Sequence, residues 1–63
     1  MKVGDLVKRD PEAYSRGGLR PNEIRDIGII TGFDEAQEYW TVIVYWMLCG
    51  ESWETPDDIE VIT

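Results

Sequence analysis

The chain has no histidine and one cysteine, Cys49, in 63 residues. Those two shortages exclude an internal disulfide and every familiar zinc pattern, the staples on which small domains usually rely. Basic residues are confined to the start. Lys2, Lys8, Arg9, Arg16, Arg20 and Arg25 are the full set, and no lysine or arginine follows residue 25. No run approaches the roughly 20 apolar residues that a bilayer span needs. The N-terminus lacks a charged region leading into an apolar signal core, and the unpaired thiol suits a reducing compartment. The chain therefore reads as soluble and intracellular. Internal repeats, low-complexity tracts and amphipathic helices of useful length are also missing.

The charge is split along the chain. In residues 1–25 six bases face four acids, leaving +2, whereas the nine acids of residues 26–63 stand alone and carry the total to −7. Anionic membranes and nucleic-acid backbones, which are bound chiefly by clustered Lys and Arg, should be repelled by the surface as a whole. Only the N-terminal half has the makings of a basic patch. Sixty-three residues make one domain, and a chain this short buries only about 60% of its unfolded surface. Three Trp, three Tyr and one Phe must supply much of the burial, at roughly 150–250 Å² per ring.

The aromatics and β-branched residues fall in strand-like runs. Tyr39-Trp-Thr-Val-Ile-Val-Tyr-Trp-Met47 is the clearest, and period two places Trp40, Val42, Val44 and Trp46 on one face, taken as the core. Ile43 and Tyr45, on the other face, are too apolar to be fully solvated and should lie under a loop, a strand or a partner. Ile27 to Phe33 predicts a preceding strand with a bulge or bend at Gly32, joined to the first through the polar link Asp34 to Glu38. Gly4 to Arg9 predicts a first strand with Val7 inward. A tight turn at Leu48-Cys49-Gly50 leads into Glu51 to Thr55, one helical turn follows at Pro56-Asp57-Asp58, and Ile59 to Ile62 is the last strand. Between the first two strands lies a connection of about 16 residues, Asp10 to Arg25, rich in Gly, Pro, Arg and Asn. Loops of that length in small domains are usually functional or disordered.

The resulting expectation is an all-β, five-stranded SH3-like small barrel spanning residues 1–63, with a long loop between strands 1 and 2. Gly4-Asp-Leu-Val7, Gly28-Ile-Ile30, Val42-Ile-Val-Tyr-Trp46, Gly50 and Asp58-Ile-Glu-Val-Ile62 carry the resemblance. Their rhythm resembles the short SH3-like proteins of tailed phages, especially those infecting marine cyanobacteria, and the layout is similar to the small stromal-side barrel subunit of photosystem I. These likenesses rest on core and turn positions and bear on fold more than on function. Trp40 and Pro56 fall near the groove positions of eukaryotic-type SH3 domains. However, Ile59 stands where that family has a groove tyrosine, which argues against Pro-rich ligands. A Gly-x-Ile turn at residues 28–30 is shared with ribosomal and transcription-factor barrels, but those relatives are basic and this chain is not.

Candidate sites divide by charge. Arg16, Arg20 and Arg25, with Gly17 and Gly18, could fork onto carboxylates or phosphates of a partner, or fold back onto Asp57, Asp58 and Glu60 of the same chain. Trp53, between Glu51 and Glu54, has the character of an interface hot spot, with covering one end of the barrel as its structural alternative. Tyr14 has the same two readings. Asp57-Asp58 and Asp34-Glu35 lack the ligand spacing of a known Ca²⁺ loop, and no histidine stands ready to activate Cys49. No enzyme, metal or cofactor is expected. Three functions are: a phage-related interaction or accessory module, structural or host-interacting, docking through Trp53, Tyr14 and the Arg-bearing loop; an acidic decoy whose Asp57, Asp58 and Glu60 surface mimics nucleic acid and captures a basic host protein; and a docking subunit of a redox or photosynthetic complex. The first places the protein in the host cytoplasm or a virion, with a protein partner. Its open strand edges also allow a homo-oligomer.

Overall fold

Period-two alternation decides where the strands lie and which way each faces. A computed structural model describes residues 1–10 and 21–62, with the side chain of Asn22 left aside. Along it run β1 (Leu6–Arg9), α1 (Pro21–Arg25), β2 (Gly28–Phe33), β3 (Val42–Trp46), β4 (Gly50–Glu54), a single 3-10 turn (Pro56–Asp58) and β5 (Ile59–Val61). All strand pairs are antiparallel, and they form one sheet in the order β4-β3-β2-β1-β5. β4 and β5 are its edges. No ladder joins these edges among the described residues, so the sheet is not a closed barrel by its pairing.

One face of the sheet is dry. Val7, Ile30, Val42, Val44, Trp46 and Ile59 are buried there, and the Trp46 indole is fully covered. A ring that large fits because its cross-strand partner is Gly28. A Cβ built on Gly28 would lie 2.8 Å from Trp46 Cε3 and would run into a Val44 methyl. Directly after Trp46 the chain reverses through Met47, Leu48 and Cys49 into Gly50, whose φ of 83° suits glycine. The expected irregularity near Gly32 is present, as the β2–β3 register shifts between Ile30 and Gly32. Pro56 opens the expected single turn, where its fixed φ is suited to the first position.

Three expectations need correction. Trp40 is not in the core: it is 55% exposed and lies outside β3, edge-on to Tyr39 at 6.1 Å. Alternation puts Trp40 in phase with Val42, but pairing begins only at Phe33↔Val42. Residues 34–41 form a connection longer than the expected Asp34–Glu38 link. Asp34 organises it: its N–H donates to the Thr41 carbonyl at 2.8 Å, and its Oδ1 accepts from the Ala36 N–H at 3.1 Å. The long connection after β1 also contains α1, a helix the periodicity missed. Pro21 starts it, Glu23 lies in its first turn and Arg25 in its last, each favourable to the local dipole. The third correction is Arg9, which alternation carries to the inward face beside Val7 and which is buried rather than part of a basic surface.

Among the described residues, no helix is long and apolar enough to cross a membrane.

Candidate interaction face

The buried end of the molecule is organised by a charge pair. Arg9 lies with its guanidinium carbon 3.9 Å from the centroid of a Trp46 ring and its Nη1 3.7 Å from Asp26 Oδ2. Asp26 is only 1% exposed. Its two carboxylate oxygens accept the backbone N–H groups of Leu48 at 2.9 Å and Cys49 at 3.1 Å. Arg9 also reaches the Glu23 carbonyl of α1, at 3.5 Å. Thus the Arg9–Asp26 pair ties α1, β1 and the β3–β4 turn together. Burial pushes the Asp26 carboxyl upward, but the Leu48 and Cys49 donors and the nearby guanidinium outweigh it and hold its pKa below the ordinary 3.8. The same carboxylate accepts from the Cys49 thiol and pushes the thiol pKa up, which leaves this exposed cysteine a poor nucleophile.

On the far side of Trp46, the indole Nε1–H donates to Ser52 Oγ at 2.8 Å, and Ser52 donates to Glu54 Oε2 at 2.6 Å. Glu54 is thereby held on the inward face of β4, which leaves Glu51 and Trp53 on the outward one.

The outward face is the candidate site. Register places Trp53 beside Ile43, Tyr45 beside both Glu51 and Ile29, and Ile29 beside Leu6. These side chains share one face, so Leu6, Ile29, Tyr45, Ile43 and Trp53 form an apolar stripe across four strands. Tyr45 is 53% exposed and Trp53 41%, while Ile43 is half-buried. Trp53 is held in orientation, because its Nε1–H donates to Asp34 Oδ2 at 3.2 Å. The stripe ends toward β5 at an exposed ion pair, Lys8 Nζ to Glu60 Oε2 at 3.7 Å. Toward β4 it is flanked by Glu51 and Asp34. This geometry offers contact area with an acidic border.

Tyr14, Arg16, Arg20, Gly17 and Gly18 lie outside the described residues. Arg25 is exposed at the end of α1, an element that packs on β1, three strands from β4 in the sheet order. Among the acids expected to receive the arginines, Glu60 pairs with Lys8, and Asp58 accepts from Thr55 Oγ1 at 2.6 Å. Asp57 is exposed at the surface of the 3-10 turn. Asp26 and Asp34 were not singled out as organisers from sequence, since a carboxylate in a turn looks the same whether it is solvated or caps backbone amides. A signal was present for Asp34, whose position two residues before Ala36 allows an Asx-turn.

No three His, Cys, Asp or Glu side chains among the described residues gather as potential metal ligands. Comparison with protein-family models, with curated proteins and with solved structures returned no match.

Proposed function

We propose that this chain is a non-enzymatic protein-interaction module that docks through the outward face centred on Trp53. The single observation that carries this reading is the stripe itself, an apolar surface across four strands whose only tryptophan is oriented by Asp34. Ordering an indole before contact reduces the entropy lost on binding, and tryptophan is enriched among residues that dominate interfaces. The acidic border specifies the partner as one with apolar anchors and a basic rim. The strand order and the 3-10 turn before β5 support an SH3-like barrel. The phage-related assignment, virion or host-interacting, rests on the sequence resemblance alone.

The decoy reading has less support. It needs an array of free carboxylates at Asp57, Asp58 and Glu60, and two of the three are engaged within the molecule. Likewise nothing in the side-chain arrangement of the described residues favours a role in a redox or photosynthetic complex.

Capture from host lysate at low and high salt, with Trp53→Ala and with lysine at positions 57, 58 and 60, separates these readings. Docking through the face predicts that Trp53→Ala weakens the captured interaction by about 30-fold or more, the equivalent of a 2 kcal/mol hot spot. The lysine variant should change it little. A decoy gives the reverse, with affinity falling steeply as salt rises.

A further inference from the structure

We propose that β4 is a docking edge for an extended basic segment of another protein, which adds beside Gly50–Glu54 as a sixth strand. The inference rests on the reading of the Trp53 face as the docking surface and names the form its partner takes.

Among the described residues β4 lies at the end of the strand order, so alternate backbone N–H and C=O groups along it point away from β3. Its pairing with β3 runs through five consecutive residue pairs without a shift, from Val42↔Glu54 to Trp46↔Gly50. That regularity makes it a template. Natural edges are commonly blunted by proline, lysine or a bulge. β4 has the sequence Gly-Glu-Ser-Trp-Glu, without proline, lysine or a bulge, and its two charges, outward Glu51 and inward Glu54, are both acidic, so they deter another acidic strand and not a basic one. The opposite edge, β5, is only three residues long, and its outward Glu60 is paired with Lys8.

Charge identifies the occupant. Residues 26–63, which supply β2 to β5, contain nine acids and no base, and a second copy of this chain would bring another −7 to the contact. A basic strand meets the opposite condition. The outward positions of β4 are Glu51 and Trp53, two residues apart, so the added strand needs a Lys or Arg beside Glu51 and an apolar residue beside Trp53. Its recognition pattern is basic-x-apolar, read in either direction. Main-chain hydrogen bonds supply affinity and the two side chains supply selectivity, as in other strand additions.

The test titrates the whole chain with the capped peptide Lys-Thr-Val-Thr-Lys-Thr-Val, which presents Lys and Val alternately on one face. Two forms N-methylated on either alternate set of residues, and a form with Glu for Lys, serve as controls. Amide shifts and slowed hydrogen exchange should centre on residues 50–54. One of the two N-methylated forms should bind at least tenfold more weakly, and the Glu form should not bind. Absence of binding overturns the proposal, as do equal binding of both N-methylated forms, shifts centred on residues 59–61, or self-association of the chain through β4. Trp53→Ala keeps the two ideas apart. Sensitivity to N-methylation without sensitivity to Trp53→Ala upholds the edge and removes the Trp53 face. Sensitivity to Trp53→Ala without sensitivity to N-methylation does the opposite.

Discussion

Asp26→Ala lowers the stability of this domain by about 3–5 kcal/mol, the usual consequence of removing one partner from a buried pair. The substitution strips the acceptor from two turn amides, Leu48 and Cys49, and leaves the Arg9 guanidinium buried with Trp46 but without its counter-charge. A 63-residue domain has a total stability of only about 3–9 kcal/mol, so the variant should be largely unfolded or have a greatly reduced urea midpoint. Adding Arg9→Met to Asp26→Ala should restore part of the loss, because no uncompensated charge remains and methionine can still cover Trp46. A loss under about 1 kcal/mol on Asp26→Ala would show that the carboxylate does not hold the turn.

The same group sets the acid limb of stability. The Asp26 pKa is lowered by folding, so folding favours the ionised form. Its contribution is complete above the unfolded-chain value, near pH 4, and is lost as pH falls through the lower folded value. Urea midpoints should therefore drop in this acid window for the wild type and change less in Asp26→Asn.

Gly28→Ala is the second large effect, expected at about 3 kcal/mol, toward the upper end of what overpacking costs in a filled core. Its single added carbon would lie 2.8 Å from Trp46 Cε3 and closer still to a Val44 methyl, on strands fixed by pairing on both sides. Neither neighbour can withdraw without opening the β2–β3 ladder. Thermal melts should show the loss, and a Gly28→Ala/Val44→Ala double variant should recover a part of it. An unchanged melting temperature for Gly28→Ala would mean that the indole is not packed against the β2 backbone. By contrast, Gly32, whose Cβ would meet only an Ile43 methyl at 3.7 Å, should accept alanine far more readily.

The strands were legible because alternation of β-branched and aromatic residues is a local property. Val7, Ile30, Val42, Val44 and Trp46 fall on the dry side as that alternation requires. Trp40 shares their phase and still lies outside, since what ends β3 is the Asp34-organised connection, which brings residues 34 and 41 together across the chain. Arg9 illustrates the complementary failure. Its phase pointed inward, but an arginine on the inward face needs a partner, and Asp26 lies 17 positions away. Distance in sequence hides such a pair. For the candidate face, Trp53 was visible as a tryptophan among acids, and Ile43 and Tyr45 as a face too apolar for water. The continuation of that stripe through Ile29 to Leu6 depends on register, which joins β1 to β4 only after the sheet has formed. The −9 carried by residues 26–63 likewise gains meaning from placement, with Asp26 inside, Glu54 on the inward face, and Glu51 and Asp34 beside the stripe.

The most direct test is an amide chemical-shift map of the ¹⁵N-labelled chain on addition of the protein it captures. Docking on the outward face predicts that the largest changes fall on Leu6, Ile29, Ile43, Tyr45 and Trp53, with the Trp53 indole N–H shifting as its bond to Asp34 is altered. Changes confined to residues 57–60, with the Trp53 indole unmoved, would contradict it.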